Sequence, residues 1–187
     1  AEPAAGGPWL AGGRAPLTAG GLGSGRVTAA SASPALKLPW RVTAREKKAH
    51  DVMVIRLQLP ANDTMRYHAG QYIEFILRDG ARRSYSMANA PHTMVKTDAV
   101  PPAAPAIELH IRHMPGGKFT DHVFSAMKEH EILRVEGPYG SFFLRDASDK
   151  PMVLLASGPG FAPIKPFTDH MKHTGTSRPA PLSAAGV

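Results

Sequence analysis

Three short stretches combine residue types that can hold a phosphorylated, aromatic ligand. In Arg83-Ser84-Tyr85-Ser86 an arginine supplies a planar fork of donors suited to a diphosphate, and a tyrosine offers a flat face for an aromatic ring. If the stretch is a strand, alternation puts Arg83 and Tyr85 on one face, where one long ligand touches both. Ser86 then points the other way and acts at the strand's end or through its backbone. Alone, the tetrapeptide equally describes an exposed strand.

The second stretch is Gly116-Gly117-Lys118-Phe119-Thr120. Glycines leading into a helix, with Thr120 as its cap, leave backbone N–H groups free to receive phosphate, helped by the helix dipole. An ordinary loop with a capped helix gives the same pattern. The third is Leu155-Ala156-Ser157-Gly158-Pro159-Gly160-Phe161-Ala162-Pro163. It has the context of a dinucleotide-binding turn but lacks the full six-residue glycine fingerprint.

The elements that must position these stretches follow from periodicity. Residues 52–59, 71–77, 82–87, 107–112 and 131–136 alternate or are rich in β-branched and aromatic types, and Pro60, Asp79-Gly80, Asn89 to Pro91 and Gly137-Pro138 close the runs. Residues 92–105 read as a loop, and one helix is predicted over 120–128. Many short strands with one interrupting helix point to an antiparallel barrel. After residue 147 the texture changes. Residues 152–156 are a continuous apolar run, expected of a strand buried on both faces, and the glycine turn leads into a helix over 162–173. That is the opening unit of an α/β domain, and a doubly wound sheet needs several such units.

Composition narrows the possibilities. The 187 residues carry a net charge of +7, yet the lysines and arginines are dispersed rather than clustered. Cysteine is absent, which removes disulfides, thiolate catalysis, zinc–cysteine sites and any iron–sulfur cluster held by this chain. No run approaches the roughly 18 apolar residues of a membrane span, and there is no basic start followed by an apolar core, so a cytoplasmic location with no membrane partner is expected. No metal site is expected. His110 and His113 fall on opposite faces of a strand, and His170 and His173 share a helix face without a third ligand. Ser157 lacks the glycine two positions before it that a hydrolase elbow requires. Residues 1–36 are mostly Ala, Gly, Pro and Ser, a composition expected to stay disordered.

Taken together, in this order and spacing, the motifs resemble the ferredoxin–NADP reductase superfamily from about Val42 to His173. The resemblance is carried by His68-Ala69-Gly70-Gln71-Tyr72, Arg83-Ser84-Tyr85-Ser86, Gly117-Lys118-Phe119-Thr120, Gly137-Pro138-Tyr139-Gly140-Ser141-Phe142 and Gly158-Pro159-Gly160-Phe161-Ala162-Pro163. The wording around Tyr67 to Phe75 and His110 to Thr120 is most similar to the CDP-6-deoxy-glucoseen reductase subgroup, itself similar to the reductases that feed oxygenases. The resemblance implies a six-stranded antiparallel flavin barrel over 37–147, with 148–187 as the first strand–helix unit of an incomplete NAD(P)-binding domain. It implies that Arg83 and Ser84 hold FAD, that Tyr85 stacks on the isoalloxazine and that Ser86 sits near N5, these last two being the catalytic pair. By the same resemblance His110, Ile111 and Arg112 line the flavin or its ribityl chain. Gly116, Gly117, Lys118, Phe119 and Thr120 receive the diphosphate, and Gly158 and Gly160 approach the nicotinamide cofactor. The implied reaction is hydride transfer from NAD(P)H to FAD, with electrons passed on to an iron–sulfur centre or an oxygenase or dehydrase partner.

Four departures stand against that pattern. Pro159 occupies a place where relatives usually have threonine, and Pro166 lies early in the following helix. Residues 178–187 lack the expected apolar strand, and nothing here corresponds to the four-cysteine domain of the subgroup. The chain therefore reads as a fragment whose apolar faces around Val153, Leu155 and Phe167 are left without partners. Two alternatives remain open from the residues alone: a non-catalytic flavin-binding remnant, and a basic barrel that binds nucleic acid. The leading reading has no nucleic-acid partner, because no strand presents a row of stacking aromatics.

Overall fold

The computed structural model describes residues 34–94 and 105–185; residues 1–33 of the stretch expected to be disordered and most of the expected 92–105 loop lie outside the described residues, while Leu36, expected in that stretch, begins a strand. Six antiparallel strands form one sheet in the order β4-β3-β6-β1-β2-β5. They are β1 (Leu36–Lys47), β2 (Val52–Gln58), β3 (Tyr72–Ile76), β4 (Arg82–Ser86), β5 (Ala106–Arg112) and β6 (Ile132–Tyr139). Register shifts between Val42 and Ala44 on β1, and between Tyr72 and Glu74 on β3, mark bulges that bend and twist the sheet. Its two edges then meet: Met87, just past β4, bridges Leu109 on β5, and Ala88 N–H donates to Glu108 O at 2.7 Å. The sheet is thus the flavin-type barrel that the motifs imply.

Inside it, residues of five strands converge, with Tyr85 of β4 packed against them. Trp40 and Val42, Ile55 and Leu57, Ile73 and Phe75, Ile107, Leu109 and Ile111, and Val135 make one core. Helix α1 (Lys118–Ser125) plugs one end with Phe119 and Val123. Outside the barrel, Arg82 pairs with Glu74 at 2.7 Å and Glu136 at 2.9 Å, and Tyr139 Oη donates to Glu136, tying β4, β3 and β6 together. These contacts lower Glu136, first through the Tyr139 hydroxyl and then through Arg82.

Several boundaries differ from the sequence reading. Strand β1 escaped it, although Leu36, Leu38, Trp40 and Val42 point inward and Lys37, Pro39 and Arg41 outward. Strand β6 runs through Gly137 and Pro138 instead of turning there, with Gly137 paired to Leu36. A Cβ at Gly137 would come within 2.8 Å of Ile73 Cγ2, so glycine serves close strand approach rather than a turn. The helix expected over 120–128 begins at Lys118, with Gly117 as its cap.

Beyond the barrel lie β7 (Leu154–Ser157), a 3₁₀ turn (Gly158–Phe161), α2 (Lys165–Thr174) and β8 (Leu182–Ala185). The expected loss of a strand after residue 178 is corrected here, since β8 pairs with β7 in parallel. The apolar run is not buried on both faces: Leu154 is buried, but Val153 is 69% and Leu155 71% exposed, because only α2 covers this two-stranded sheet. Phe167, expected to lack a partner, is buried with Ala69, Leu144, Leu154, Ile164 and Met171, and stacks on Phe142 at 5.3 Å. Gly70 makes room for it. Its φ is +100°, and an added Cβ would lie 2.4 Å from the Phe167 ring. Among the described residues no helix is long and apolar enough to cross a membrane.

The inner face carries the stability. Replacing fully buried Ile55 by Ala should cost about 2–5 kcal/mol and by Val about 0.5–1.5 kcal/mol, read from urea unfolding midpoints. Leu155→Gln, on the exposed face of β7, should stay within about 0.5 kcal/mol of wild type. A large loss at Leu155 would mean that this face is covered in solution.

Candidate flavin site

The barrel brings the first two motifs together. Cross-strand pairs share a face, and Arg83 and Tyr85 pair with Phe75 and Ile73, both inward-facing. The Tyr85 ring therefore leans over the core rim, 5.7 Å from Phe75 and 5.5 Å from Phe119, while staying half-exposed. Burial raises its hydroxyl pKa, against the opposing pull of Arg83, so the phenol stays neutral. Arg83 is exposed, and among the described residues its guanidinium bonds only the carbonyl of Arg82 at 2.7 Å, leaving most of its donor fork uncommitted there. Ser84 points to the outer face, where its hydroxyl bonds Glu74 at 3.2 Å, so only its backbone faces the Arg83–Tyr85 side. Ser86 Oγ makes no hydrogen bond among the described residues.

Phe119 links this strand to α1. Its ring lies 4.4 Å from Phe75 and is buried, so its side chain supports Tyr85 and only its N–H is free for a ligand. Thr120 is not the cap expected. It sits three residues into the helix, buried, and its hydroxyl donates to Met114 O at 2.9 Å and accepts Met114 N–H at 3.2 Å. The N–H groups of Lys118, Phe119 and Thr120 find no acceptor among the described residues, as expected of a first helical turn. Gly117 keeps the approach tight, since a Cβ there would come 2.6 Å from Thr120 Oγ1 and 2.8 Å from Met114 O. Gly116, at φ +81°, donates to Asp121, whose other oxygen meets His113 at 2.9 Å. Lys118 is exposed and bridges to Asp79 at 2.6 Å, which holds the Asp79 carboxyl below its usual range.

Strand β5 supplies the opposite wall, because the Met87–Leu109 bridge sets Ser86 beside His110. Of the three β5 residues, Ile111 is buried in the core and can meet a ligand only through its backbone, whereas His110 and Arg112 face outward. Arg112 pairs with Asp51 at 2.8 Å. His110 Nε2 lies 3.1 Å from Glu108 Oε1, and Glu108 is pushed down to about 2, first by His110, then by Lys165 and Arg56. Gly158, at φ +49°, and Gly160, with open space where a Cβ would stand, lie on the 3₁₀ turn that packs beside β5.

Sequence reasoning missed four residues, three of them at the corner where β4 meets β5. Asn89 is buried and saturated: it accepts from Glu108 N–H at 2.8 Å, donates to Ala106 O and Thr93, and its carbonyl takes the Tyr67 hydroxyl at 2.8 Å. Glu108 and Lys165 are the others. No local pattern signals any of them, because the partners that tie the corner together, Asn89 with Glu108, Ala106 and Tyr67 and Lys165 with Ala88 and Glu108, are distant in sequence. His92 was also unforeseen. It stacks on His173 at 3.9 Å and lies 6.4 Å from His170, yet the described residues hold no group of three or more ligands able to bind a metal.

The donor set fits an FAD. Free helix-start N–H groups and an unengaged arginine suit a diphosphate, a half-exposed tyrosine suits a flat ring, and a free hydroxyl stands at the strand end. Barrel and site together define a flavin-binding domain of the ferredoxin–NADP reductase type. Residues 39–144 match the model of the oxidoreductase FAD-binding domain, and the chain belongs to that family. It is 38% identical over 131 residues to reductase component 1 of terephthalate 1,2-dioxygenase from Comamonas sp, covering 70% of this chain and 36% of the relative. It is 39% identical, with the same coverages, to the CDP-6-deoxy-L-threo-D-glycero-4-hexulose-3-dehydrase reductase of Yersinia pseudotuberculosis. The chain thus spans about a third of the length of these curated relatives. Among solved structures, the Amycolatopsis cytochrome P450 reductase GcoB matches at TM-score 0.69 and 29% identity, over 81% of this chain and 43% of that one. Phthalate dioxygenase reductase shares the fold at TM-score 0.66 and 19% identity, over 79% and 43%.

The histidine contact makes α2 docking sensitive to pH. Burial depresses the His92 pKa, followed by the neighbouring His173 and His170, against Asp169; Asp146 faces His170 at 3.3 Å. A folded value below the ordinary 6.5 means that the unfolded chain takes up the proton first. Stability should therefore be flat above that value and fall as pH drops through and below it. Melting temperatures between pH 7.5 and 5 should show the loss, and His92→Gln should reduce the slope.

Proposed function

We propose that this chain holds FAD along the β4–α1–β5 corner and serves as the flavin module of a reductase that takes hydride from NAD(P)H. The observation that carries the reading is the juxtaposition of the free Arg83 fork, the half-exposed Tyr85 ring and the unpaired N–H groups of α1 on one rim of the barrel. FAD supplies a two-electron acceptor that releases electrons singly. Arg83 and the backbone of Gly116, Gly117, Lys118, Phe119 and Thr120 hold its diphosphate. Tyr85, braced by Phe75 and Phe119, packs against the ring, and its neutral hydroxyl adds no charge there. Ser86 offers its hydroxyl to the reacting nitrogen, while His110, oriented by Glu108, and the backbone of Ser84 and Ile111 line the remaining edge. Arg112 flanks the same edge. Gly158 and Gly160 leave room for a nicotinamide. The domain limits fit the same division, with the flavin unit over 37–147 and the nicotinamide unit beginning at 148. The relatives' names support an iron–sulfur protein, oxygenase or dehydrase as electron acceptor.

A second reading, a flavin-binding module without its own nicotinamide chemistry, is favoured by Pro159. Proline removes an N–H from the loop that must meet phosphate, and the turn it occupies is 3₁₀, with α2 starting only at Lys165.

The absorbance spectrum of the purified chain, before and after FAD and then with NADH or NADPH under anaerobic conditions, separates these readings. Bleaching of the flavin bands by a nicotinamide supports the reductase. A yellow protein that neither cofactor bleaches supports the module alone, and absence of flavin binding overturns both. Arg83→Ala should weaken FAD binding roughly tenfold or more, as expected for losing charge-assisted bonds to a phosphate, with an unchanged far-ultraviolet spectrum. Gly117→Ala should weaken it too, since its Cβ collides with Thr120 and Met114 O. Ser86→Ala should leave affinity within a few fold and slow flavin reduction by about 10²-fold or less, as stopped-flow absorbance would record.

A further inference from the structure

The second unit meets the flavin corner through one charged side chain. Lys165 is the first residue of α2, directly after the segment that follows the glycine turn. Its Nζ donates to Ala88 O at 3.0 Å, lies 3.6 Å from Glu108 Oε1, and also has Asp169 within 3.3 Å on its own helix. Asp169 alone would satisfy the ammonium on the surface of α2. Instead the side chain reaches across to the barrel and binds the backbone of the corner that closes it.

That corner is already over-determined from the barrel side. Ala88 N–H is held by Glu108 O, and Asn89 by Glu108, Ala106, Thr93 and Tyr67. Ser86 lies two residues before Ala88, and His110 shares the Glu108 carboxylate with Lys165. A continuous chain of contacts thus runs from the start of α2 through Glu108 to His110, and through Ala88 toward Ser86. The same carboxylate that orients the imidazole receives the lysine.

We propose that Lys165 is a positioning residue that fixes the stance of the 157–161 turn over the Ser86–His110 corner. By binding Ala88 O and the Glu108 carboxylate together, it sets both the placement of the nicotinamide unit and the orientation of His110. Its consequence for hydride transfer rests on the reductase reading; the docking itself does not. Phe167 in the hollow at Gly70 supplies the apolar anchor of α2, and Lys165, bonded to one carbonyl and facing one carboxylate, adds a directional contact at the start of the helix.

Amide hydrogen exchange on the full 187-residue chain tests this with Lys165→Met, which keeps the apolar stem, and Lys165→Arg, which keeps charge and donors. In Lys165→Met, exchange at residues 88–90 and at residues 158, 160, 161 and 162 should rise roughly tenfold, with β1 and β2 unchanged and Lys165→Arg restoring protection. Unchanged protection in Lys165→Met, or faster exchange spread through the whole barrel that arginine does not restore, would overturn the proposal. With FAD added, the visible circular dichroism of the bound flavin should change in Lys165→Met and return in Lys165→Arg, at an affinity within about twofold of wild type. Should the exchange pattern appear in a chain that binds no FAD, the docking role stands and the reductase reading fails. Should FAD bind while exchange stays unaltered, the docking role fails and flavin binding stands.

Discussion

The two edges of the six-stranded sheet are held together around one buried amide. A six-stranded sheet leaves two raw edges, and here β4 and β5 meet over a single backbone bridge at Met87 and Leu109. Asn89 completes what that bridge begins. Its side chain satisfies the N–H of Glu108 and the carbonyl of Ala106, and its own carbonyl is taken by the buried Tyr67 hydroxyl. Each is a polar group whose isolation in an apolar interior would cost several times what the bond gains. Removing Asn89 would therefore strand the Glu108 N–H and the Ala106 carbonyl together. Everything proposed for the flavin site hangs on that closure, since it sets Ser86 beside His110 and presents Ala88 O to Lys165.

Closure also explains why the ligand donors lie where they do. Backbone groups inside the ladders are consumed by pairing. The first turn of α1, like any helix start, leaves N–H groups without an intrahelical partner. The Phe75–Phe119–Tyr85 aromatic cluster then fixes that start against β4, so an apolar contact aligns polar donors. Thr120 and Asp121 spend their side chains on Met114, Gly116 and His113, shaping the loop before the helix. The polar side chains that a motif search would assign to the ligand are thus divided, some shaping the backbone and some left free to bind.

That division marks the limit of what was legible in the chain. Alternation revealed five strands, and the shared face of Arg83 and Tyr85, because period-two burial is a local property. Strand β1 escaped because Pro39 and four basic residues mask an alternation whose outward positions face solvent. Gly137-Pro138 looked like a turn, since glycine's service to a neighbouring strand is indistinguishable in sequence from its service to a bend. Phe119 and Thr120 sat in the right motif but with side-chain duties set by tertiary neighbours. Asn89, Glu108 and Lys165 were invisible for the same reason: an ordinary polar residue acquires its role only when the fold brings its partners to it.

The unit beyond the barrel illustrates how far a piece of α/β structure can lean on its neighbour. Strands β7 and β8 make only a two-stranded parallel sheet, a pairing too small to hold itself together. What orders it is α2, whose inward face is shared between Leu154 on one side and Ala69 and Leu144 of the barrel on the other. Gly70 gives up its side chain so that Phe167 can enter, and Leu144 N–H closes onto Ala69 O at 3.0 Å beneath it. The barrel thus supplies the hydrophobic layer that further strands and helices supply in a complete doubly wound sheet. The face of β7 turned away from α2 receives no such layer, which is why Val153 and Leu155 remain exposed while Phe167, thirteen positions from Leu154, is buried.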